Sequence, residues 1–361
     1  MNEGFIFNDD SLIHGVMADD PALFFESTDR GGLCLLPSIL AVLFAQNFLY
    51  KDPATDELIR AAMHANYELN FDESRELTRR LQTMYPDHPV GYLLEAESYW
   101  WEAQADPENK AIENAYYAAQ KSAAEKGLDA LKQNKYARIE TLSYLASSYG
   151  SLARFQLTRK NAYYSALRAG MKALRYARQV DQIDPNYYDV YAGLGAYNYF
   201  TAVLPAVIKP FAFLIGVRGQ KDLGLEQLRI AMDKSRHSRT EAKIVYYAVL
   251  LQEKRYPEAL RLLEELMAEF PHNFVFYDWI SSWFEMQHRS PEGIPYFDSL
   301  ARRELQTSRL EAQHALLKEA SFQHTLGRDE DARQTLRRLR SIPGTDRLIQ
   351  EQVVAVEKAL R

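Results

Sequence analysis

Few residues of this sequence stand at spacings that support chemistry. The eight histidines are scattered, and none forms the H-E-x-x-H pair that holds zinc on a helix. The sequence contains no Walker loop and no G-x-S-x-G turn. Glu95 and Glu97 lie two positions apart, on different helix faces, so they do not form a catalytic carboxylate pair. We therefore expect no catalytic residue, no metal site and no cofactor; an enzyme assembled from distant residues is the least favoured alternative.

The stretch GLGAYNYFTAVLPAVIKPFAFLIGVRG, residues 193–219, opens with a Gly-x-Gly pair that is typical of phosphate loops. A dinucleotide loop needs a third glycine at fixed spacing and a preceding strand. Here no third glycine follows in that spacing, and the residues after Pro185 predict a helix. A nucleotide site is therefore not expected. Gly193 and Gly195 instead predict close helix contact, and Asn198 predicts a buried polar group that needs a hydrogen-bond partner.

The same stretch is apolar over residues 199–217, with Lys209 as its one charge. A membrane-spanning helix needs about twenty apolar residues in one run. Because Pro205 and Pro210 interrupt this run, a spanning helix is not favoured.

We expect instead a helix from about residue 188 to 203, a proline-bounded insertion at 203–217, and a helix from about 220 to 233. A buried hairpin is the favoured structure of the insertion. The alternative is lipid contact, which would use its largest apolar side chains, Phe211, Phe213, Leu214 and Ile215.

The net charge of −6 is concentrated at the start of the chain. Residues 1–30 hold seven acids and one base, so the remaining residues carry equal numbers of both. A neutral body has no long-range field for a polyanion, so nucleic acid is not an expected partner. The favoured interpretation of the densest basic run is a set of cations near a helix C-terminus, where they interact favourably with the helix dipole. The alternative is a patch that binds phosphate. This run comprises Arg333, Arg337, Arg338 and Arg340.

Residues 33–46, LCLLPSILAVLFAQ, have the length of the hydrophobic region of a secretory signal and are short for a membrane span. Their apolar side chains cover every face of a helix, whereas a repeat helix keeps a polar stripe. We expect a poorly structured acidic leader at 1–32 and a targeting segment at 33–50. This favours export or membrane anchoring over a cytoplasmic protein; a buried capping helix is the alternative. The single cysteine, Cys34, excludes an intramolecular disulfide.

From residue 55 onward the sequence predicts helices, because strand signals are almost absent and apolar residues recur every three or four positions. One spacing pattern recurs. Its five positions are three, four, three and five residues apart, and the last is a proline, which cannot continue the helix. Its copies are Phe71, Ser74, Thr78, Leu81 and Pro86; Gly170, Ala173, Ala177, Val180 and Pro185; and Tyr256, Ala259, Leu263, Leu266 and Pro271, with a weaker copy at Asp329, Ala332, Leu336 and Leu339.

Residues 63–89 and 244–273 resemble tetratricopeptide repeats: a helix, a tight turn with an aromatic residue, and a second helix that ends at proline. The resemblance implies an all-α, right-handed superhelical solenoid of antiparallel helix pairs with a concave binding face. Because the prolines do not follow the 34-residue period of this repeat, some pairs must be lengthened. We expect the repeat domain at 55–345, long helices at 108–134 and 137–158, and a capping helix at 346–361.

A narrower resemblance covers residues 195–225, which are similar to the inclusion-body-clearance proteins and the tetratricopeptide repeat domain 39 family. The matching residues are Gly195, Ala196, Tyr197, Asn198, Leu204, Pro205, Lys209, Gly216, Gly219, Gly224 and Leu225. Gln220 stands where those proteins usually have an acidic residue. This resemblance implies a non-enzymatic repeat protein linked to lipid and protein-aggregate handling, and it supplies no catalytic residue.

We therefore expect a non-catalytic scaffold that binds a protein or peptide in its concave groove. Repeat geometry predicts two stripes that face this groove. One comprises Asp56, Ile59, Met63 and Asn66, and the other comprises Glu241, Ile244, Ala248 and Leu251. Most of the 23 tyrosines are expected in the core. Binding of a lipid or membrane surface through the 203–217 insertion is the alternative function.

Overall fold

The computed structural model describes residues 49–106, 109–160, 162–204, 218–344 and 347–360, and these ranges hold fifteen α-helices and no strand. The first seven helices are α1 (Pro53–Tyr67), α2 (Phe71–Met84), α3 (Val90–Ala105), α4 (Lys110–Gln133), α5 (Arg138–Lys160), α6 (Tyr163–Ile183) and α7 (Tyr191–Ala202). The others are α8 (Lys221–Lys234), α9 (Arg239–Gln252), α10 (Tyr256–Glu269), α11 (Val275–Met286), α12 (Ser290–Glu304), α13 (Arg309–Thr325), α14 (Asp329–Ser341) and α15 (Arg347–Ala359). Short 3₁₀ helices precede α1 and α7, at Leu49–Lys51 and Tyr188–Val190.

Successive helices form seven pairs, from α1 with α2 to α13 with α14, and α15 follows the last pair. Each odd-numbered helix also contacts the next odd-numbered one at most positions of the stack, from α1 with α3 to α13 with α15. The odd-numbered helices therefore form one layer, called here the inner layer, and the even-numbered helices form the outer layer. This is the all-α solenoid of helix pairs that the repeat pattern predicts.

The residues of the recurring spacing pattern lie at the contact between the two layers. Ala259, Leu263 and Leu266 of α10 are completely buried. Ser74, Thr78 and Leu81 occupy the same positions on α2, and they are buried as well. The lengthened pairs are also present, since α4, α5 and α6 have 24, 23 and 21 residues whereas the other helices have 12 to 17.

Four inner helices end in the same tight turn. The second residue after the last helical residue has a left-handed backbone, and the N–H of the residue that follows it donates to a carbonyl five residues earlier, as in a Schellman motif. The left-handed residues are Leu69, Lys254, His288 and Gly327. The corresponding hydrogen bonds measure 2.9, 2.8, 2.9 and 2.8 Å. This turn reverses the chain within four of the pairs and sets the outer helix against its inner partner.

The stretch with the Gly-x-Gly pair is helix α7, packed closely against α8. A Cβ atom on Gly195 would lie 2.7 Å from Leu228 Cγ, and one on Gly224 would lie 2.5 Å from the Tyr199 nitrogen. Asn198 is buried and donates from Nδ2 to Gln227 Oε1 at 2.7 Å, which confirms the expected polar partner. The sequence also predicts a close contact for Gly193, but this prediction is wrong because Gly193 is exposed and no atom lies within 4 Å of the place its Cβ would take.

The array of pairs folds back on itself. Asn273, in the turn between α10 and α11, donates from Nδ2 to the Tyr67 carbonyl of α1 at 2.7 Å. Arg236, in the turn between α8 and α9, holds Asp56 of α1 with two hydrogen bonds of 2.8 Å. The first pair therefore contacts the fourth, fifth and sixth pairs as well as its neighbour along the stack.

Candidate functional site

The predicted stripe on α1 lies inside the protein. Ile59 is buried against α2 and α3. Asn66 donates to the Leu94 carbonyl at 3.0 Å and accepts from Ser74 Oγ at 2.5 Å. Met63 is half-buried. The first pair is covered on a second side by the fold-back, so three of the four residues, Asp56, Ile59 and Asn66, are interior and do not form an open groove. The exposed residues of α1 include Glu57, Arg60 and His64 instead.

Asp56 is a buried carboxylate that closes the fold-back. It accepts the bidentate Arg236 guanidinium, Arg60 lies 2.7 Å from it, and His237 Nε2 lies 2.9 Å away. Burial alone would raise the pKa of Asp56, but the hydrogen bonds from Arg236 and His237 outweigh it and the pKa is lowered. Asp56 therefore stays ionised and is occupied by contacts within the chain.

The predicted stripe on α9 is accessible. Ala248 is exposed, and Glu241, Ile244 and Leu251 are half-buried. Ile244 and Leu251 pack against the largest buried cluster from one side. We call these four residues the α9 row. It is an inner-layer surface with apolar side chains that are partly exposed to solvent. Glu241 provides the carboxylate at one end of the row.

That carboxylate belongs to a cluster in which three inner helices meet. Arg154 of α5 donates to Glu241 of α9 at 2.5 Å and to Glu97 of α3 at 2.6 Å. The guanidinium also lies over the Trp100 ring, 3.9 Å from its centroid, a cation–π contact. These side chains keep some contact with solvent, since 21% of Arg154 and 33% of Glu241 are accessible. The cluster therefore keeps partial access to solvent.

The charges of the cluster do not cancel. Desolvation raises the pKa of Glu241, and the nearby Glu97 adds to it, while Arg154 opposes both. Desolvation would lower the pKa of Arg154, but the two carboxylates outweigh it and the pKa is raised. Arg154 is therefore a fixed cation shared by two carboxylates, and with both ionised the cluster has a net charge of −1.

Aromatic side chains stack in the core near the cluster. The rings of Tyr247 and Trp279 stack with centroids 5.6 Å apart, and Tyr116 stacks on Phe155 at 4.0 Å. Tyr116 Oη also shares a hydrogen bond of 3.0 Å with Ser151. These tyrosines lie in the core, as the sequence predicts, and do not present their rings to solvent.

The basic run on α14 is paired with carboxylates. Arg338 contacts Asp298 at 2.9 Å and Arg340 contacts Glu357 at 2.9 Å. Arg333 and Arg337 lie near Glu330, at 3.5 and 3.2 Å. The phosphate-patch alternative therefore finds no support in this geometry.

Several predicted sites lie outside the described residues. These are Phe211, Phe213, Leu214 and Ile215 of the insertion, and the apolar run at 33–46. Lipid contact and targeting by these segments stay predictions. Within the described ranges, no group of three or more histidine, cysteine or acidic side chains could hold a metal. The helices of those ranges include none with the length and apolarity that crossing a membrane requires.

The Arg154 cluster is a site that the sequence does not reveal. Glu97 is separated from Arg154 by 57 positions and Glu241 by 87. No local spacing connects the three, because only the stacking of the inner helices brings them together. The α9 row, in contrast, follows from the helical period alone.

Comparisons with known proteins leave the function open. No protein-family model and no curated protein matches the chain. Among solved structures it is similar to a tetratricopeptide repeat protein from Parabacteroides merdae, with a TM-score of 0.35 and 13% identity over 84% of this chain and 98% of that one. The narrower resemblance of residues 195–225 stays a prediction. By its own helix pairs and turns, the described part of the chain is an all-α solenoid of helix pairs.

Proposed function

We propose that this protein is a non-catalytic scaffold that binds a protein or peptide partner along the α9 row. The observation that carries the proposal is an inner-layer surface that remains accessible after the array has folded back. Ala248 is exposed between half-buried Ile244 and Leu251, and the row ends at the Arg154 cluster. Inner helices of repeat stacks provide the concave surfaces that such proteins use for binding.

The chemistry of the row favours a peptide with one apolar and one basic side chain. The apolar side chain would pack on Ile244, Ala248 and Leu251, where its burial removes apolar surface from water. The basic group would lie near Glu241 and Glu97, because two carboxylates share a single guanidinium there.

Affinity purification with quantitative mass spectrometry from the native host tests the proposal. Ala248→Arg places a bulky cation in the middle of the row and should reduce partner recovery at least tenfold. Ala355→Arg is the matched control, since Ala355 is exposed on α15. Partners that remain bound to Ala248→Arg as well as to the control would show that binding occurs elsewhere.

A further inference from the structure

The outward face of α6 differs from the other exposed surfaces of the described residues. No other described helix has more than one large apolar side chain that is more than a third exposed. On α6 there are four: Tyr164, Leu167, Met171 and Ile183. Their exposed fractions are 72, 37, 42 and 53%. Three of them, Tyr164, Leu167 and Met171, follow one another on one side of the helix, and exposed apolar surface of this kind marks a site of interaction.

Basic residues continue the same stripe. The positions 164, 167, 171, 175 and 178 are separated by steps of three and four, so they lie on one side of the helix. Arg175 and Arg178 occupy the last two of these positions and are exposed, and Arg168 lies beside the first three. We call Tyr164, Leu167, Arg168, Met171, Arg175 and Arg178 the α6 stripe.

Helix α6 has a net positive charge, and its one acid, Asp181, lies beyond the stripe and accepts from Tyr191. Residues 163–180 contain three arginines and one lysine, and no acidic residue, in a chain whose residues 31–361 are neutral as a whole. The guanidinium groups of Arg168 and Arg178 lie over the rings of Tyr164 and Tyr197, at 5.7 and 5.8 Å from their centroids. Such contacts orient the arginines along the surface and leave their positive charge in place.

We propose that the α6 stripe binds the surface of an anionic lipid bilayer. A helix face that combines arginines with exposed tyrosine, leucine and methionine has the chemistry of an interfacial helix. Its apolar side chains can enter the boundary between headgroups and acyl chains, while the arginines contact lipid phosphates. Because α6 belongs to the outer layer of its pair, a flat bilayer fits this face better than a peptide that needs a groove. This proposal is independent of the α9 row.

Flotation of the full-length protein with lipid vesicles tests the proposal. The vesicles contain phosphatidylcholine alone or with about 30% phosphatidylserine, whose charge attracts basic surfaces. The wild-type protein should bind only the anionic vesicles. The variant Arg168→Gln, Arg175→Gln, Arg178→Gln should bind about a hundredfold more weakly, at about fivefold per arginine. Raising the salt concentration should weaken wild-type binding as well.

Two further variants make the result specific. Arg79→Gln, Arg80→Gln, Arg261→Gln removes the same charge from three exposed arginines on α2 and α10, and it should bind like wild type. Tyr164→Ser, Leu167→Ser, Met171→Ser should also lose binding, because charge alone does not insert into the interface. Circular dichroism confirms that each variant is folded.

Three outcomes would overturn the proposal. The first is a wild-type protein that does not bind anionic vesicles. The second is an α6 arginine variant that binds as well as its control, which would also place any lipid binding elsewhere, for example in residues 205–217 that these variants leave unchanged. The third is capture of a poly-glutamate peptide, but not of vesicles, through the same arginines, which would assign the stripe to an acidic protein.

Discussion

Arg154 shows how much a single side chain contributes to the inner layer. It links α3, α5 and α9, which belong to three different pairs, and it is itself covered by the Trp100 ring. Glu97 and Glu241 would face each other without a counter-charge in its absence. A desolvated charge that loses its partner is much more costly than an exposed one.

We expect Arg154→Gln to lower the free energy of unfolding by about 2–4 kcal/mol. The loss should be larger at pH 8 than at pH 5, because protonation of Glu241, whose pKa is already raised, relieves the repulsion between the two carboxylates. Urea denaturation at both pH values measures this. The double variant Arg154→Gln, Glu241→Gln is the control and should recover at least half of the loss. An equal loss at both pH values would contradict the account of the cluster.

Glu140 is a second residue whose charge matters for stability. It is fully buried on α5, and Oε2 accepts the Leu49 backbone N–H at 3.0 Å, which holds the 3₁₀ helix before α1. Burial raises the pKa of Glu140 to about 7 from its ordinary value of 4.5, against the opposing effect of backbone hydrogen bonds from Leu49 and Tyr50. The folded protein therefore favours the protonated form.

The pH dependence of stability follows from this shift. Because the pKa in the folded state lies above the ordinary value, the contribution to stability is complete below about pH 4.5 and is lost as the pH rises through about 7. Glu140→Gln keeps an acceptor oxygen without the charge. We expect it to be more stable than wild type at pH 8 by roughly 1–3 kcal/mol, and similar to wild type at pH 5.

Thermal unfolding of Glu140→Gln between pH 5 and pH 8 measures this difference. The exposed Glu57 of α1 provides the control variant Glu57→Gln, whose pH profile should follow that of wild type. A Glu140→Gln profile parallel to that of wild type would mean that the carboxyl does not titrate in this range.

At the scale of the elements, the sequence predicts the interior of each pair well and the turns less well. The steps of three and four identify Ala259, Leu263 and Leu266 as buried, and they are completely so. The Schellman turns have no sequence signal in three cases of four, since leucine, lysine and histidine take the left-handed position where glycine is usual. Tertiary packing of the pair determines the turn at these positions.

The α7–α8 contact depends on glycine at two positions for steric reasons. We expect Gly224→Ala to lower the free energy of unfolding by about 2–3 kcal/mol, because the new Cβ would meet the backbone of Tyr199 and Gly195, which cannot move aside. Gly193→Ala is the matched control in α7. It meets no atom within 4 Å and should be stabilising by about 0.5–1 kcal/mol through helix propensity. Chemical denaturation of the two variants measures both changes, and equal effects would contradict the close contact.

The contact of α1 with the turn between α8 and α9 is the second element that a variant can test. Asp56→Asn removes the charge that Arg236, Arg60 and His237 share. We expect the free energy of unfolding to fall by about 2–3 kcal/mol. In hydrogen exchange, the substitution should accelerate exchange of the α1 amides more than exchange of the α14 amides.

The exposed pair of Arg328 and Asp331 provides the comparison for this variant. Asp331→Asn should change stability by less than about 1 kcal/mol, as expected for a surface ion pair. If Asp56→Asn accelerated exchange equally in all helices, α1 would not be held separately by the fold-back.

At the scale of the described repeat unit, the sequence predicts the kind of architecture but not the way it closes. Helical period and prolines are local signals, and they suffice for helix pairs in a stack. The fold-back depends on contacts such as Asn273 with Tyr67, 206 positions apart, which no period encodes. For this reason the helical period places both stripes on the groove face, but only the α9 row is accessible, and Asp56, Ile59 and Asn66 of α1 are interior.

Partner binding along the α9 row is the central claim, and site-specific photo-crosslinking tests it most directly. Benzoylphenylalanine replaces Ala248 in one variant and Ala355 in the other, and both are expressed and irradiated in the native host. The account predicts a crosslinked partner at position 248, identified by mass spectrometry, that is absent at 355 and decreases when Glu241→Gln is added. Crosslinks that are equal at both positions, or absent at 248 while a partner co-purifies, would contradict it.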